Sequence, residues 1–339
     1  MMGRQATMSD IARRAGVSRV AVSYAINGRP GVSEAVRERI LRIAAEIGFN
    51  PSVPAQALHG AAAHAIGLTV SRPSPGLSVE TFHRRLISGI QAELAGRGFG
   101  LVLQFVTGHD DELDVYRRWH GERRVDGVIV SDLTLDDPRP GALASMGLPS
   151  VILGEPSGPD GLTHLWSDPA AGAELVAGHL AALGHRRVAR VCGPAGLLPA
   201  ARRAGLFAAA CERAGMACTL IPTDRTGEAG AQVTRRVLSS TPRPTAIVYD
   251  NDVMAVAGLS VAGEMGLAVP GELSLVAGDD FPLCQAVRPA LTVLSRDVDA
   301  LGAQAVRLLF ELLDGGEPRH VPAPATGLVT RGSTGPAPP

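Results

Sequence analysis

The chain has no lysine: all 32 of its strongly basic side chains are arginine, a usage that fits GC-rich coding and carries no functional reading. Its four cysteines, Cys192, Cys211, Cys218 and Cys284, form no C-x-x-C pair and have no histidine at metal spacing. Neither a zinc site nor a disulfide framework is implied, and buried thiols are expected. No segment offers about 20 uninterrupted apolar residues, and the N-terminus lacks an apolar run of signal-peptide length, so a cytoplasmic protein with no membrane partner is expected. Common catalytic signatures are missing too. There is no Walker loop, no H-E-x-x-H and no nucleophile elbow, since "GLSVA" at Gly258 has alanine where the second glycine would stand and lies inside a helical pattern. "GRGFG" at Gly96 joins a helix to a strand, and His109, His120, His164, His179 and His185 are scattered singly. No metal, cofactor or enzymatic activity is expected from these patterns.

What is present is apolar material in quantity. With 339 residues, 45% hydrophobic and 19% charged, the chain can bury several cores and suggests two or three domains. The formal net charge of −1 hides an asymmetry. The first 62 residues hold eight arginines (Arg4, Arg13, Arg14, Arg19, Arg29, Arg37, Arg39, Arg42) against four acids (Asp10, Glu34, Glu38, Glu46), a surplus of four that leaves the remainder at −5. A basic head on an acidic body suits a polyanionic partner, because one end attracts phosphates while the other discourages non-specific sticking.

The head reads as three short helices. Thr7, three residues before Asp10, resembles a capping box, and Ile11, Ala12 and Ala15 share a face that Gly16 ends. Ser18 can cap a second helix with Val22, Ala25 and Ile26 inward and Asn27-Gly28 as its stop. Ser33 is expected to cap a third, running to Ile47 with Val36, Ile40, Ile43, Ala44 and Ile47 at helical spacing. Only a tight Ala15-Gly16-Val17 turn separates the first two, the helix-turn-helix shape that sets the second helix's N-terminus into a major groove. Its outer face would carry Arg19, Val20, Ser23 and Tyr24. Arg19 suits a bidentate contact to guanine, Val20 or Ala21 a thymine methyl, and Ser18, Ser23 and Asn27 a phosphate. The same pattern fits a solvated helical bundle, and geometry alone leaves both readings open.

After "GFNPSVP", the run "AQALHG" is long enough for about one and a half helical turns, too few to be stable alone, and is a candidate linker. From Ala65 onward "AIGLTV", "GLVLQFV", "DGVIVSD", "PSVILG", "RVARVCG", "AIVYD" and "LSLVAG" alternate with helical patterns such as Phe82 to Arg97 and Asp168 to Leu183. That alternation indicates parallel sheets with helices on both faces. About 260 residues of it exceed a comfortable single sheet, so two linked α/β subdomains with a cleft at the strand C-termini are expected. The expected boundaries are an all-α helix-turn-helix headpiece over 1–50, a linker over 51–63 and an α/β body of two doubly wound subdomains over 64–330. Within the body, 64–165 plus 297–326 form one subdomain and 166–296 the other, and the Gly-, Ser- and Pro-rich tail 331–339 is expected to be disordered.

The stretch "TMSDIARRAGVSRVAVSYAINGRPGVSEAVRERILRIAAEIGFNPS" closely resembles, without a gap, the headpiece of the lactose/galactose repressor family. "LPSVILGEP", "HLAALGHRRVARVCGP", "ARRAGLFAAACERAG", "IVYDNDVMAVAGLSVAGEMGLAVPGELSLVAGDD" and "RPALTVLSRDVDALGAQAV" resemble, in order, its effector domain, which is similar in fold to periplasmic sugar-binding proteins. The resemblance implies base-reading roles for Arg19, Val20 and Ser23, with Tyr24 also facing the groove, and phosphate contacts from Thr7, Ser18, Asn27 and Ser33. Ala21 and Tyr24 stand where many relatives have threonine and arginine. It further implies a hinge helix, matching Ser52 to Gly60, that folds only on operator DNA. There Leu58 wedges into the minor groove, with Ala55 on the groove floor beside it. Pro54 fits that hinge only in the first turn after a Ser52 cap, and Gln56 replaces a common arginine.

In the cleft the resemblance places Arg202, Asn251 and Asp279 as effector contacts, Trp166 as a wall aromatic, and Phe82 and Ser295 as further candidates. Each of the main candidates has a plainer reading: Asn251 as a helix cap, Asp279 as a strand end, Arg202 as an ion-pair partner, Trp166 as a core aromatic. Gly154 and Gly278 replace an acidic and an aromatic residue, which would enlarge the pocket. The implied function is a repressor-type regulator that binds a pseudo-palindromic double-stranded DNA operator as a homodimer and answers to a small, carbohydrate-like effector. The competing readings are a cytoplasmic solute-binding protein with an unused head and, more distantly, an enzyme on the α/β scaffold.

Overall fold

The computed structural model describes residues 6–26, 29–49, 62–71, 80–156 and 161–339. The chain divides into two compact units, Met1–Ala63 and His64–Pro339.

The first unit holds α1 (Met8–Ala15), α2 (Arg19–Ile26) and α3 (Glu34–Glu46). Thr7 and Asp10 form the reciprocal capping box, and Gly16, at φ 64°, ends α1 in the left-handed conformation that costs glycine nothing. Ile11, Val22 and Ile40 are fully buried at the centre, one from each helix, with Ala12, Ala15, Ala25 and Ala44 letting the helices approach. Each large apolar side chain contributes about 1.5–3 kcal/mol of burial. Ser33 stands at the N-cap of α3, but its side chain makes no cap hydrogen bond; Arg37 instead donates to the Arg29 carbonyl at 2.8 Å and fastens the preceding loop.

The second unit has two lobes. The first is a parallel sheet of β1 (Ala65–Ser71), β2 (Gly100–Val106), β3 (Gly127–Val130), β4 (Ser150–Leu153), β5 (Thr163–Trp166) and β11 (His320–Pro322), in the order β11-β5-β4-β3-β1-β2. Helices α4 (Thr81–Ala95) and α12 (Val298–Leu313) cover one face, α5 (His109–Gly121) and α6 (Arg139–Met146) the other. The second sheet joins β6 (Arg187–Cys192), β7 (Ala217–Pro222), β8 (Ala246–Tyr249), β9 (Ser274–Ala277), β10 (Thr292–Ser295) and β12 (Gly327–Val329) in the order β12-β10-β9-β8-β6-β7. All of its pairs are parallel except β10 with β12. Here α7 (Pro169–Ala182) and α8 (Leu198–Arg213) cover one face, α9 (Gly227–Leu238) and α10 (Asp252–Glu264) the other, and the short α11 (Pro282–Ala286) follows β9.

The central strands β3, β4, β8 and β9 are buried at every position, as expected of parallel strands covered on both faces. The chain passes between lobes after β5, after β10 and between β11 and β12. The terminal tail is ordered, contrary to expectation. Ser333 is fully buried, its hydroxyl donates to the Leu275 carbonyl at 2.6 Å and accepts from the Thr292 amide at 2.8 Å, and the Ala337 amide donates to the Leu183 carbonyl at 2.8 Å. Composition misses this because the tail is held by backbone and hydroxyl groups laid on the second sheet, not by apolar side chains. Among the described residues no helix is long and apolar enough to cross a membrane.

Candidate functional site

The C-terminal ends of both sets of strands face one cleft with a volume of ≈ 340 Å³. The first lobe contributes Ser131 to Leu133 after β3, Gly154 and Glu155 after β4, and the start of α4 from Glu80 to Phe82. The second contributes Arg190 in β6, Arg202 and Arg203 in α8, Asp224 to Gly227 after β7, Asp250 to Val253 after β8, and Gly278 and Asp279 after β9. Ligand sites in doubly wound folds lie at this end of the strands, where loops diverge and leave unfilled space.

The floor is charged. Asp250 accepts from Arg190 Nη2 at 2.7 Å and Nε at 3.1 Å, and from the Gly193 amide at 3.0 Å. Burial opposes the Asp250 carboxylate, but the guanidinium groups of Arg190 and Arg203 and that amide outweigh it and hold its pKa below the ordinary range. Asp279 is paired with Arg296, whose Nε and Nη2 donate at 2.8 and 2.5 Å. There burial wins over the pairing, and the pKa is raised. Gly278 is required by the floor itself: a Cβ would meet the Asp250 carbonyl oxygen at 2.3 Å, so the space an aromatic would need is already filled by backbone.

Polar contacts hold the two walls together. Arg202 Nε donates to Glu155 at 2.8 Å, and Thr81 Oγ1 donates to Asp252 at 3.2 Å. Arg225 Nη1 lies 3.5 Å from Glu80 and 3.9 Å from Asp132. The facing residues Asp132 and Arg225 are both left-handed, at φ 51° and 69°, a conformation unusual for side chains other than glycine and asparagine. The Arg225 carbonyl accepts from Asn251 Nδ2 at 2.9 Å, while the Asp132 carbonyl accepts from Arg139 Nη2 at 2.8 Å, so both strained turns are fixed from behind. His83 Nε2 lies 3.0 Å from the Asp132 carboxylate. Burial alone would lower the His83 pKa, yet the Asp132 charge raises it above its ordinary value. For Asp132 burial is again outweighed, by His83 first and then Arg225 and Arg139, and the pKa falls.

Of the six cleft residues expected from the sequence, Phe82, Arg202, Asn251 and Asp279 line the cleft. Phe82 sits under the Arg296 guanidinium, 5.5 Å from ring centre to Cζ. Asn251 caps α10 through its Oδ1, 2.9 Å from the Met254 amide, in addition to holding Arg225. Trp166 and Ser295 do not line the cleft; Leu165 and Ser167, and Leu294 and Arg296, do. Side chains alternate along a strand, and both candidates fall on the opposite parity. Sequence reasoning missed Arg190, Arg203, Arg225, Asp250, Asp132, Glu80 and Arg296, although Arg203, Asp250 and Arg296 adjoin residues it selected. Among the described residues no group of three His, Cys, Asp or Glu side chains is arranged to hold a metal ion.

On the first unit, Arg19 and Val20 are exposed, Val20 by 60%, while Ala21, Ser23 and Tyr24 are half-buried. A Cβ on Gly31 would lie 3.2 Å from the Tyr24 ring, so that ring packs against the α2–α3 loop. The Ser18 hydroxyl accepts from the Ala21 amide at 3.1 Å, and the Thr7 hydroxyl is engaged with Asp10 at 2.7 Å. Asn27, Ala55 and Leu58 lie outside the described residues.

A helix-turn-helix unit in one chain with a periplasmic-binding-protein-like body of two parallel-rich sheets is the architecture of a ligand-responsive DNA-binding regulator. Residues 7–52 match the bacterial regulatory proteins of the lacI family, and residues 177–334 match the periplasmic binding protein-like domain. The chain is 30% identical over 318 residues to the HTH-type transcriptional regulator CelR of Thermobifida fusca, covering 92% of this chain and 93% of that protein. It is likewise 30% identical to the ribose operon repressor of Escherichia coli K12, over 90% of this chain and 92% of that protein. Among solved structures, the lac repressor dimer bound to operator and the anti-inducer ONPF superposes with a TM-score of 0.84 at 26% identity, over 98% of this chain and 100% of that one. A CelR-cellobiose complex superposes with a TM-score of 0.73 at 29% identity, over 97% and 100%. This chain belongs to the LacI family of bacterial transcriptional regulators.

Proposed function

We propose that the protein is a transcriptional repressor that binds a pseudo-palindromic operator as a homodimer and is controlled by a small polyhydroxylated effector in the cleft. The observation that carries the reading is the cleft itself: ≈ 340 Å³ bounded by two lobes whose walls meet through Arg202–Glu155, Thr81–Asp252 and Arg225–Glu80. That volume is at the small end of ligand pockets, about 300–1,000 Å³, and suits a monosaccharide-sized molecule. Carboxylates that only accept and guanidinium groups that only donate fix hydroxyls in defined directions. A ligand that separates or tightens the walls shifts the equilibrium between lobe arrangements, and so couples the cleft to operator affinity.

Support for the DNA-binding half comes from the exposed pair Arg19 and Val20 at the start of α2 and from the arginine surplus of the first 62 residues. Thr7, Ser18, Asn27 and Ser33 are assigned to the phosphates, Arg19, Val20, Ala21, Ser23 and Tyr24 to the groove, and Ala55 and Leu58 to the minor groove. The test is a gel shift at fixed salt on DNA upstream of the protein's own operon, against random DNA, with and without candidate sugars. Specific retardation modulated by a sugar is the expected result; equal affinity for both DNAs under all conditions would refute the repressor reading. Turnover of a sugar would refute the non-enzymatic one.

A further inference from the structure

We propose that the effector carries an anionic group, a carboxylate or a phosphate on a sugar or polyol, and that this group seats on the guanidinium of Arg203. The proposal rests on the reading of the cleft as the effector site. Arg203 lies in α8, lines the cleft, and keeps 20% of its side chain open to it. Its nearest acidic partner is Asp250 Oδ2 at 3.6 Å, outside hydrogen-bond reach, and among the described residues none of its N–H groups finds an acceptor. The acids around it are already occupied. Asp250 serves Arg190 and the Gly193 amide, Asp279 serves Arg296, Asp132 faces His83, and Asp252 accepts from Thr81.

At its own place on the floor Arg203 is therefore left with donors that no neighbouring carboxylate engages. A largely buried guanidinium with idle donors gains most from a planar or tetrahedral oxyanion, which takes two N–H groups at once in charge-assisted bonds. A neutral hydroxyl takes one and adds no countercharge beyond the distant Asp250. Burial, together with the neighbouring Arg296, Arg225 and Arg190 charges, outweighs Asp250 and brings the Arg203 pKa down to about 10. An anion at this point relieves that crowding. Arg202, one residue earlier, is unavailable for the role because it turns to the mouth and pairs with Glu155.

The experiment is thermal unfolding of the full-length protein, and of Arg203→Gln and Arg203→Lys, with inorganic phosphate and a panel of hexoses and pentoses beside their uronates, aldonates and phosphates. The expected result is a concentration-dependent rise in Tm with at least one acidic sugar and not with its neutral parent. Apparent affinity should fall at least about tenfold in Arg203→Gln and be partly kept in Arg203→Lys. The uronate, phosphate and inorganic phosphate arms tell a carboxylate from a phosphate and a free ion from a sugar-borne one. A response to neutral sugars alone overturns the proposal and leaves the effector cleft standing. An acidic sugar bound equally by Arg203→Gln overturns it by placing the anion elsewhere, and silence across the panel overturns it as well, with the operator gel shift then judging the repressor reading separately.

Discussion

Arg139, in the first turn of α6, is a guanidinium sealed inside the first lobe, and replacing it with methionine removes the charge while keeping most of the volume. Its Nη1 donates to the two Glu112 oxygens at 2.8 and 2.9 Å and its Nη2 to Asp137 at 2.7 Å, in a site where the three side chains are 2%, 3% and 5% exposed. Removing one member of such a buried group costs about 3–5 kcal/mol, because charge is left without compensation. The loss is not doubled for two acids. Glu112 keeps the hydroxyls of Thr69 and Tyr116 at 2.5 and 2.6 Å, and Asp137 keeps the amides of Thr134 and of position 139 at 2.8 and 2.9 Å. At about 2–4 °C per kcal/mol for a unit of this size, Arg139→Met lowers the Tm by about 10 °C at pH 7.

The pH dependence has a definite sign. Burial opposes the Asp137 carboxylate, but Arg139 and the amides hold its folded pKa below the ordinary value. Its contribution in the native protein is thus complete above the unfolded pKa, about 3.9, and is lost only as pH falls through the lower folded value. In Arg139→Met the guanidinium that outweighs burial at Asp137 is gone, so the Asp137 pKa rises from its native position, the penalty shrinks on acidification and the Tm gap narrows between pH 7 and pH 5. Thermal unfolding followed by circular dichroism at both pH values measures it. A gap under about 3 °C at pH 7, or one that is the same at pH 5, refutes the argument.

Gly89 in α4 lies where a Cβ would stand 2.0 Å from the Asp299 carbonyl of α12, so Gly89→Ala must push apart a tightly packed helix pair; a loss of about 1–3 kcal/mol or more is expected in urea unfolding, and an unchanged midpoint would contradict it. Ser333→Ala leaves the Thr292 amide and the Leu275 carbonyl without a partner and should cost about 1–3 kcal/mol, whereas a disordered tail would give no change in Tm. Because the His83 pKa is raised in the folded state, its contact with Asp132 stabilises fully below about pH 6.5 and fades as pH rises through the folded value; His83→Gln should lose that slope in a pH series of Tm. Arg19→Ala should cost about 1–3 kcal/mol in operator binding and relax preference at one base pair per half-site, and an unchanged consensus in a binding-site selection would exclude the assigned contact.

The headpiece is legible in the sequence because its signals are local. The Thr7–Asp10 box, the Gly16 stop and the shared face of Ile11, Ala12 and Ala15 each act within a few residues, and the structure places them accordingly. The two sheets are legible for a related reason, since continuous apolar runs such as "GVIV" and "SVIL" fit only strands covered on both faces. The short strands β11 and β12 and the tail are not legible. They owe their order to hydrogen bonds with segments far along the chain, as from the Ser333 hydroxyl to the Leu275 carbonyl or from the Ala323 amide to the Trp166 carbonyl.

The cleft shows why a resemblance finds the neighbourhood of a site more readily than its atoms. A strand of a parallel sheet covered on both faces shows no clean inward-outward polarity pattern, so nothing local tells which parity of β5 or β10 looks toward the ligand. Trp166 and Ser295 miss by one residue for that reason, and the neighbouring Arg296 carries the charge. Charge pairing is equally non-local: Arg190 and Asp250, joined at 2.7 Å, stand 60 residues apart and meet only because β6 and β8 are adjacent. In "ARRAG" the two arginines are equivalent as sequence, about 100° apart on one helix. The phase of α8 against the sheet separates them, sending Arg202 to Glu155 at the mouth and Arg203 toward Asp250 at the floor. That phase is set by which face of the helix buries Ala200, Phe207, Ala210 and Cys211. The apolar residues of α8, not its charged ones, therefore decide which arginine is left with unused donors.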